Sequence, residues 1–259
     1  MKRVAGDGLP KRAIQAALKP LGYKIVQIAA YQRREGKAAR PAGFDRKVFG
    51  IGFNKTATTT LAQVMRDAGL RMPKQLDQEL FLDDAIDLGA WGKLRDFCCN
   101  YDAFQDLPFS QNEVYIACDA LFPGARFILT EREPDAWADS FVRYYRQSLD
   151  LENVEQTDEA TFLGKSLYLK PGYMHRVMRR LLQERVAGEI RVRWDLAFDK
   201  DFLIERYQSR NAAIKAYFAQ RPDDLLVVDP REEEDTGRLL GFLGADPDMA
   251  GPYPVANAS

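Results

Sequence analysis

One strand–turn–helix unit close to residue 50 constrains the fold of this chain more than any other feature. Apolar residues separated by glycines fill Lys47–Phe53, which predicts a buried strand. Apolar residues at helical spacing follow in Thr58–Leu70, and Gly69 closes that segment. A strand that passes through a short turn into a helix begins a βα unit, and repeated βα units build parallel sheets. The unit therefore predicts an α/β fold.

The rest of the chain repeats this alternation of strands and helices. Further strands are predicted at Tyr101–Phe104, Ala125–Thr130 and Leu225–Asp229. Helices are predicted at Leu80–Asp96, Gln111–Leu121, Pro134–Arg146, Tyr173–Val186, Asp201–Gln220 and Asp235–Leu243, and residues 149–172 are expected to be irregular. We expect an α/β three-layer sandwich with a central, mostly parallel sheet. Such sheets bind ligands beyond the carboxyl ends of their strands, so the turns there are the first candidates for function.

Charge divides the sequence into a basic arm and an acidic body. Residues 1–47 carry twelve Lys or Arg and three Asp or Glu, a net charge of +9, whereas the whole chain has −1. Within this arm, Leu9–Gln27 has the spacing of a short amphipathic helix. We expect residues 1–46 to form a basic N-terminal extension and linker before a domain at 47–259. The arm predicts contact with an anionic surface at a membrane periphery or on an acceptor, and packing on the acidic body is the alternative.

Composition narrows the class of protein. No stretch approaches the roughly 20 apolar residues of a membrane span, and no secretory signal is expected. Three cysteines, two of them adjacent, make a poor disulfide framework and favour a cytoplasmic location. Because His175 is the single histidine and no Cys-x-x-Cys pair occurs, a metal site is not expected. A nucleic-acid partner is not expected either.

The turn after the first strand is rich in threonine. It reads Asn54-Lys55-Thr56-Ala57-Thr58-Thr59-Thr60. A helix N-terminus has unsatisfied N–H groups and a partial positive charge, and both attract phosphate. Lys55 adds a full positive charge, so these seven residues are predicted to form a P-loop-like, phosphate-binding turn. The alternative is that threonine merely caps the helix, but a cap needs one hydroxyl rather than four.

This turn is not a Walker A loop, because Asn54 rather than glycine precedes the lysine. It resembles instead the 5′-phosphosulfate loop of the sulfotransferases that use 3′-phosphoadenosine 5′-phosphosulfate (PAPS). Their pattern is a strand, then Gly-x-x-(Lys/Arg)-(Thr/Ser)-Gly-(Thr/Ser)-(Thr/Ser)-x-Leu, then a helix. The sequence departs from that pattern at Ala57, where the family usually has glycine, and alanine would be unfavourable there if φ were positive.

A second turn, after the strand Ala125–Thr130, strengthens the resemblance. In the family, an arginine just after this strand and a serine eight residues on hold the 3′-phosphate of the donor, and Arg132 and Ser140 match that spacing. The resemblance covers residues 47–255. The Arg-Lys-Gly segment that many members have near the C-terminus is not recognisable, and its candidate replacements are Arg179, Arg180, Arg206 and Arg210.

The resemblance also implies residues on the acceptor side and near the adenine. Gln105-Asp106-Leu107-Pro108 stands where the family often has Thr-His-Leu-Pro, so Asp106 takes the place of the catalytic base. The alternative is that Asp106 is a turn residue before the proline. Tyr207 resembles a family tyrosine near the adenine, although its spacing also fits the apolar stripe of its helix.

The resemblance thus implies a transferase with PAPS as the donor substrate and a hydroxyl or amine of a carbohydrate or glycolipid as the acceptor. Lys55 and Asp106 are the catalytic candidates, because the transfer needs a cation at the leaving phosphate and a base for the acceptor proton. Two other interpretations stay open, which are a P-loop nucleotide kinase or NTPase and a non-catalytic nucleotide-binding module.

Overall fold

The computed structural model describes residues 45–149, 151, 154, 157–165 and 172–246 of the chain. Its centre is a sheet of four parallel strands, β1 (Val48–Gly50), β2 (Ala103–Phe104), β3 (Arg126–Thr130) and β6 (Leu225–Val228). Their order across the sheet is β2-β1-β3-β6. A separate antiparallel hairpin joins β4 (Gln183–Val186) to β5 (Glu189–Val192). The predicted α/β fold with a central parallel sheet is confirmed.

Helices connect the strands. They are α1 (Thr58–Asp67), α2 (Gln75–Glu79), α3 (Trp91–Cys98), α4 (Val114–Leu121), α5 (Pro134–Ser148), α6 (Glu159–Lys165), α7 (Tyr173–Leu182), α8 (Lys200–Tyr217) and α9 (Glu233–Phe242). A π-helical turn spans Leu82–Asp87, and short 3-10 turns span Trp194–Leu196 and Pro222–Asp224. No described helix combines the length and the apolar character that crossing a bilayer requires.

Successive residues of the strands point into two different hydrophobic layers, as the period of two requires. Phe49 and Phe127 pack on one face of the sheet, in a buried cluster that includes residues of α4 and α8. Val48 and Ile128 pack on the other face, with residues of α1 and α9. Helices therefore cover both faces of the sheet, which makes three layers.

A third buried cluster packs α5 against α7 and α8. Trp137 and Tyr145 of α5, Tyr173 of α7 and Leu203 of α8 belong to it. Phe53 lies three residues after the end of β1 and belongs to the same cluster. The cluster therefore anchors α5 beside the turn that links β1 to α1.

The predicted helix Tyr173–Val186 is wrong in its last turn. The helix ends at Leu182, and Gln183–Val186 forms a strand instead. Ala187 (φ 51°) and Gly188 (φ 89°) both have positive φ, as in the two-residue turns that match the twist of paired strands. Pairing with β5 decides the conformation of this segment, and a search for helical periodicity does not detect such pairing.

Two other regions are organised differently from the prediction. The segment Leu80–Asp96 is not one helix, because a π-helical turn is followed by Gly89 (φ 63°) and α3 begins only at Trp91. Within residues 149–172, expected to be irregular, α6 forms at Glu159–Lys165. The predicted helix Leu9–Gln27 lies outside the described residues.

Candidate active site

The turn between β1 and α1 begins with a close approach of two strands. A Cβ at Gly52 would lie 2.6 Å from the carbonyl O of Thr130 and 2.7 Å from its backbone N. A Cβ at Gly50 would lie 2.6 Å from Cδ2 of Leu61. A side chain at Gly52 would require a backbone shift, and one at Gly50 would require the Leu61 side chain to move. The two glycines therefore let β1, β3 and α1 meet at the carboxyl edge of the sheet.

The backbone of this turn presents unsatisfied N–H groups. Helix α1 begins at Thr58 after Ala57 (φ 62°, ψ 33°), and no described side chain caps it. The first helical hydrogen bond of α1 is donated by the N–H of Leu61 to the carbonyl O of Ala57, four residues earlier (3.0 Å). The amides of Thr58, Thr59 and Thr60 precede that bond and have no helical acceptor. Free amides at the positive end of a helix are the features that attract an anion.

Two threonine hydroxyls tie the turn to its neighbours instead of capping the helix. Thr56 Oγ1 donates to the carbonyl O of Phe53 and lies 2.5 Å from Thr130 Oγ1. Thr58 Oγ1 donates to Oδ2 of Asp106 at 3.0 Å. The alternative that these hydroxyls serve as helix caps is therefore wrong.

Lys55 lies among charged and aromatic side chains. Its Nζ is 4.5 Å from the centre of the Tyr144 ring, and its backbone has a positive φ of 72°. Burial lowers the pKa of Lys55, and the neighbouring charge of Asp106 opposes this shift. The charges of Arg143 and Arg132 lower the same pKa further. An anion bound here would relieve the repulsion among these three cations.

Asp106 is joined to the phosphate turn through the hydroxyl of Thr58. Its Oδ1 accepts a hydrogen bond from the N–H of Leu107 (2.9 Å), and its Oδ2 accepts from Thr58. Burial raises the pKa of the Asp106 carboxyl, while the two hydrogen bonds and the charge of Lys55 oppose the rise. A carboxyl of this kind can accept a proton more readily than an exposed one.

Arg132 links the second turn to the first. Its Nη1 donates to the carbonyl O of Lys55 at 3.2 Å. Its backbone is held by Tyr207, because the Tyr207 hydroxyl accepts from the N–H of Arg132 (2.9 Å) and donates to its carbonyl O (3.1 Å). Tyr207 is 2% exposed and stacks on Trp137 with ring centres 4.5 Å apart. Tyr207 thus supports the turn that carries Arg132.

Helix α5 holds the phosphate turn from the side. Trp137 Nε1 donates to the carbonyl O of Asn54 (3.0 Å), and Asn54 Nδ2 donates to the hydroxyl of Tyr145 (2.9 Å). Ser140 is half-buried and lies one helical turn from both Trp137 and Tyr144. It therefore lies on the side of α5 that faces the turn.

Two residues near Lys55 were not predicted from the sequence. Arg143 and Tyr144 were not among the expected binding residues, yet both lie close enough to Lys55 to affect its charge or contact its ammonium. The available signal was helical spacing, since Ser140 and Arg143 are three residues apart on one helix.

Three of the four arginines proposed to replace the Arg-Lys-Gly segment have other contacts or lie at the surface. Arg180 pairs with Asp87, Arg206 pairs with Glu184, and Arg179 is exposed. Two of these candidates are therefore engaged in ion pairs, and the third lies at the surface.

Arg210, the fourth candidate, braces the backbone of the site. Its Nη1 donates to the carbonyl O of Ile51 (2.9 Å), and its Nε donates to the carbonyl O of Asn112 (3.2 Å). Its guanidinium lies 4.8 Å from the centre of the Phe53 ring. Arg210 therefore joins the end of β1 to the loop that follows Asp106.

Comparison with known proteins agrees with this geometry. A family model described as a sulfotransferase domain matches residues 47–259, most of the chain and all of the site described above. A search of curated proteins returned no match. Members of this family are transferases that bind a nucleotide donor and an acceptor. A match of this extent, on a chain with a central parallel sheet, shows that the chain belongs to the sulfotransferase domain family.

Proposed function

We propose that this chain transfers a sulfuryl group from PAPS to a hydroxyl or amine of an acceptor and releases adenosine 3′,5′-bisphosphate (PAP). The observation that carries the proposal is the convergence of donor-side and acceptor-side groups on one turn. Thr58 joins the turn to Asp106 at 3.0 Å, and the carbonyl O of Lys55 accepts from Arg132 at 3.2 Å. Cations suited to a leaving phosphate and a carboxylate suited to a proton thus share one site.

On the donor side, the free amides of residues 58–60 and the ammonium of Lys55 bind the 5′-phosphosulfate group, with the rest of the turn from Asn54 to Ala57 shaping the loop. Lys55 stabilises the negative charge that develops on the leaving phosphate. Arg132 and Ser140 hold the 3′-phosphate, and Tyr207 keeps Arg132 in place beside the adenine.

In the proposed step, the acceptor oxygen or nitrogen forms a bond to sulfur while the bond from sulfur to the bridging phosphate oxygen breaks. The electron pair of the broken bond stays on PAP, and the acceptor proton passes to the carboxylate of Asp106. Holding donor and acceptor in line supplies much of the rate. A base is more effective when its pKa lies closer to the working pH, and burial shifts the pKa of Asp106 in that direction.

The surroundings of Asp106 support a carbohydrate or glycolipid acceptor. Gln78 Nε2 donates to the carbonyl O of Leu107 (2.9 Å) and to that of Gln105. Gln105 Nε2 donates to Oε1 of Gln75 at 2.8 Å, while its own Oε1 is buried without a hydrogen-bond partner among the described residues. Amides both donate and accept, so a group of them beside the base suits a substrate with several hydroxyls.

We place this activity in the cytoplasm. Cys98 and Cys118 are buried, Cys99 is exposed, and all three thiols are free. Unpaired cysteines are typical of a reducing compartment.

The direct test is turnover of the full chain with PAPS that carries labelled sulfur. Carbohydrates, glycolipids and amines are offered as acceptors, and mass spectrometry detects labelled product and PAP. Lys55→Ala is expected to lower the rate about 10²–10³-fold, the usual effect of removing one preorganised charge donor. Lys93→Ala, a change at an exposed lysine of α3, is the matched control and should leave the rate unchanged. Near-normal turnover by Lys55→Ala would contradict the assignment.

A thermal-shift comparison separates this activity from other nucleotide chemistry. PAP is expected to raise the melting temperature of the wild-type chain, because a ligand that binds the folded state stabilises it. A rise with ATP and Mg²⁺ but none with PAP would contradict the proposed donor and indicate a nucleotide kinase or NTPase.

A further inference from the structure

The last strand of the sheet brings another arginine to the edge where the site lies. Strands β3 and β6 pair in parallel, with Thr130 opposite Val228, and the N–H of Glu131 donates to the carbonyl O of Val228 (2.9 Å). Arg132 and Arg231 follow these two strand ends within three residues. Because neighbouring strands lie about 4.8 Å apart, the two arginines leave the sheet side by side.

Asp229 fixes the orientation of the Arg231 guanidinium. Nε of Arg231 donates to Oδ1 (2.8 Å) and Oδ2 (3.1 Å) of Asp229, and Nη2 donates to Oδ2 as well. The backbone N–H of Arg231 also donates to Oδ1 (3.1 Å). A guanidinium has five N–H donors in a rigid fork. Because Asp229 accepts from Nε and Nη2, the Nη1 donors stay available for another acceptor. No partner for Nη1 occurs among the described residues.

Asp229 is itself held in position by a hydrogen bond to α9. Its backbone N–H donates to Oδ2 of Asp235 at 2.7 Å, near the start of α9. The strand end, the carboxylate and the arginine therefore form one short, hydrogen-bonded unit. Arg231 is partly exposed, with 28% of its side chain accessible, so a ligand can reach it.

Arg132 has unused hydrogen-bonding capacity beside this unit. Its Nε is shielded from solvent and has no partner within the described part of the chain. Burial lowers the pKa of Arg132, and the charge of Arg231 lowers it further. Asp229, which is hydrogen-bonded to Arg231, is the acidic group whose charge raises the pKa of Arg132. An anion with two or three acceptor oxygens would balance the remaining charge.

We propose that Arg231, oriented by Asp229, binds the second phosphate group of the nucleotide donor together with Arg132, and thereby selects nucleotides that carry a 3′-phosphate. The inference rests on the proposed donor, and it assigns Arg231 a binding role and Asp229 a positioning role. Planar guanidinium groups on neighbouring strands can each donate two N–H groups to one phosphate. The two phosphate groups of the donor would then occupy the ends of different strands, the first at β1 and the second between β3 and β6.

Calorimetry with PAP and adenosine 5′-monophosphate (AMP) tests this inference. The wild-type chain should bind PAP more tightly than AMP. Arg231→Ala is expected to weaken PAP binding about 10- to 100-fold, the effect of losing a charge-assisted hydrogen bond, and to leave AMP binding nearly unchanged. Arg231→Lys keeps the charge without the fork and should give an intermediate loss. Arg191→Ala, at an exposed arginine of β5, is the matched control and should behave as wild type.

Asp229→Asn separates a positioning role from a structural one. If Asp229 positions Arg231, this variant loses preference for PAP over AMP while its AMP affinity stays the same. Equal weakening of both ligands would mean that Asp229 only supports the fold and would contradict its positioning role.

The failure of this inference can be told apart from the failure of the proposed donor. If the wild-type chain shows no preference for PAP over AMP, the proposed function is wrong, and the role of Arg231 falls with it. If Arg132→Ala removes the preference but Arg231→Ala and Arg231→Lys both keep it, the proposed donor stands and Arg231 has no part in recognition.

Discussion

Ala57 carries local backbone strain at the phosphate turn. Its φ of 62° and ψ of 33° lie in the left-handed region, which costs an L-residue with a Cβ about 1–2 kcal/mol. Glycine enters this region freely. The conformation persists because the contacts on both sides fix the turn, with Thr56 bonded to Thr130 and Thr58 bonded to Asp106. Strain at this point orients the amides that follow.

Ala57→Gly is expected to leave the free energy of unfolding unchanged or to raise it by up to about 1 kcal/mol, because relief of strain offsets the greater entropy of the unfolded chain. Urea denaturation measures the change. Ala62→Gly, at a buried position inside α1, is the matched control and should lower the same free energy by about 1 kcal/mol or more. Similar losses in the two variants would show that Ala57 is not strained.

Asp106 and Lys55 have pKa values shifted toward each other. Burial raises the pKa of the Asp106 carboxyl above 3.8 and lowers the pKa of the Lys55 ammonium below 10.5. The proposed mechanism needs the first group deprotonated and the second protonated. The pH range of activity is therefore narrower than ordinary pKa values would give.

The pH profile of Asp106→Asn tests whether the carboxyl of Asp106 sets the acidic limit of activity. In the wild-type chain, kcat/KM should rise with pH through the raised pKa of Asp106 and fall through the lowered pKa of Lys55. The variant should lose about 10²–10⁴-fold in kcat and also lose the acidic limb of the profile, with PAP affinity unchanged. Normal turnover would make Asp106 a simple turn residue. Loss of PAP binding would give it a structural role instead.

Asp106→Asn is also expected to affect the thermal stability of the chain. A carboxyl whose pKa is raised in the fold contributes most to stability when it is protonated, and that contribution is lost as pH rises through the raised pKa. Asn accepts the left-handed backbone at this position, where Asp106 has φ 61°. The melting temperature of Asp106→Asn at neutral pH should therefore match or exceed that of the wild type.

At the scale of elements, helix α8 connects the end of β1 to the loop after Asp106 through one arginine. Arg210 reaches from this helix to the carbonyl O of Ile51 and of Asn112, which lie at the end of β1 and in the loop after Asp106. Burial lowers the pKa of Arg210 to about 10, so it stays charged at neutral pH. The end of β1 and this loop thus both accept hydrogen bonds from one side chain.

Arg210→Met is expected to lower the free energy of unfolding by about 1–3 kcal/mol. The change leaves buried carbonyl oxygens without donors, and removal of a buried charge offsets part of that loss. Chemical denaturation monitored by circular dichroism gives the value. Arg206→Met, one turn earlier on α8, removes a partly exposed pair with Glu184 and should cost less than about 1 kcal/mol. Equal losses would argue against the brace.

At the scale of the whole molecule, four cations of the described residues lie near the carboxyl edge of the sheet. Lys55, Arg132 and Arg231 follow three neighbouring strands, and Arg143 approaches them from α5. The sequence adds a second basic region in residues 1–47, with a net charge of +9. The sequence predicts that this second region binds an anionic surface.

Removal of residues 1–46 is expected to weaken binding to anionic membranes. A basic residue near such a surface contributes about 1 kcal/mol, and salt screens this attraction. Co-sedimentation with phosphatidylserine vesicles compares the full chain with the truncated chain, and phosphatidylcholine vesicles are the control. If both chains sediment equally and without dependence on salt, the arm does not bind the membrane.

The sequence predicted the main elements of the site because each is encoded locally. A strand, a turn and a helix within about 20 residues define the phosphate turn, and the strand before Arg132 defines the second turn. The hairpin at Gln183–Val192 was missed, since its strands are stabilised by pairing with each other and not by a periodic pattern. Arg231 was missed for a related reason, because nothing beside it in the sequence marks it as a neighbour of Arg132.

By itself, then, the sequence determined the α/β class and the family resemblance, and it located the turn predicted to bind anions, because periodicity, glycine positions and the helix N-terminus act over short distances along the chain. Only the tertiary structure decided which side chains meet. Parallel pairing of Phe49 with Phe104 brings Asp106 to the hydroxyl of Thr58, and pairing of Thr130 with Val228 brings Arg231 beside Arg132. Strand order and register depend on how the whole core is buried, so contacts between distant segments follow from packing and not from local pattern.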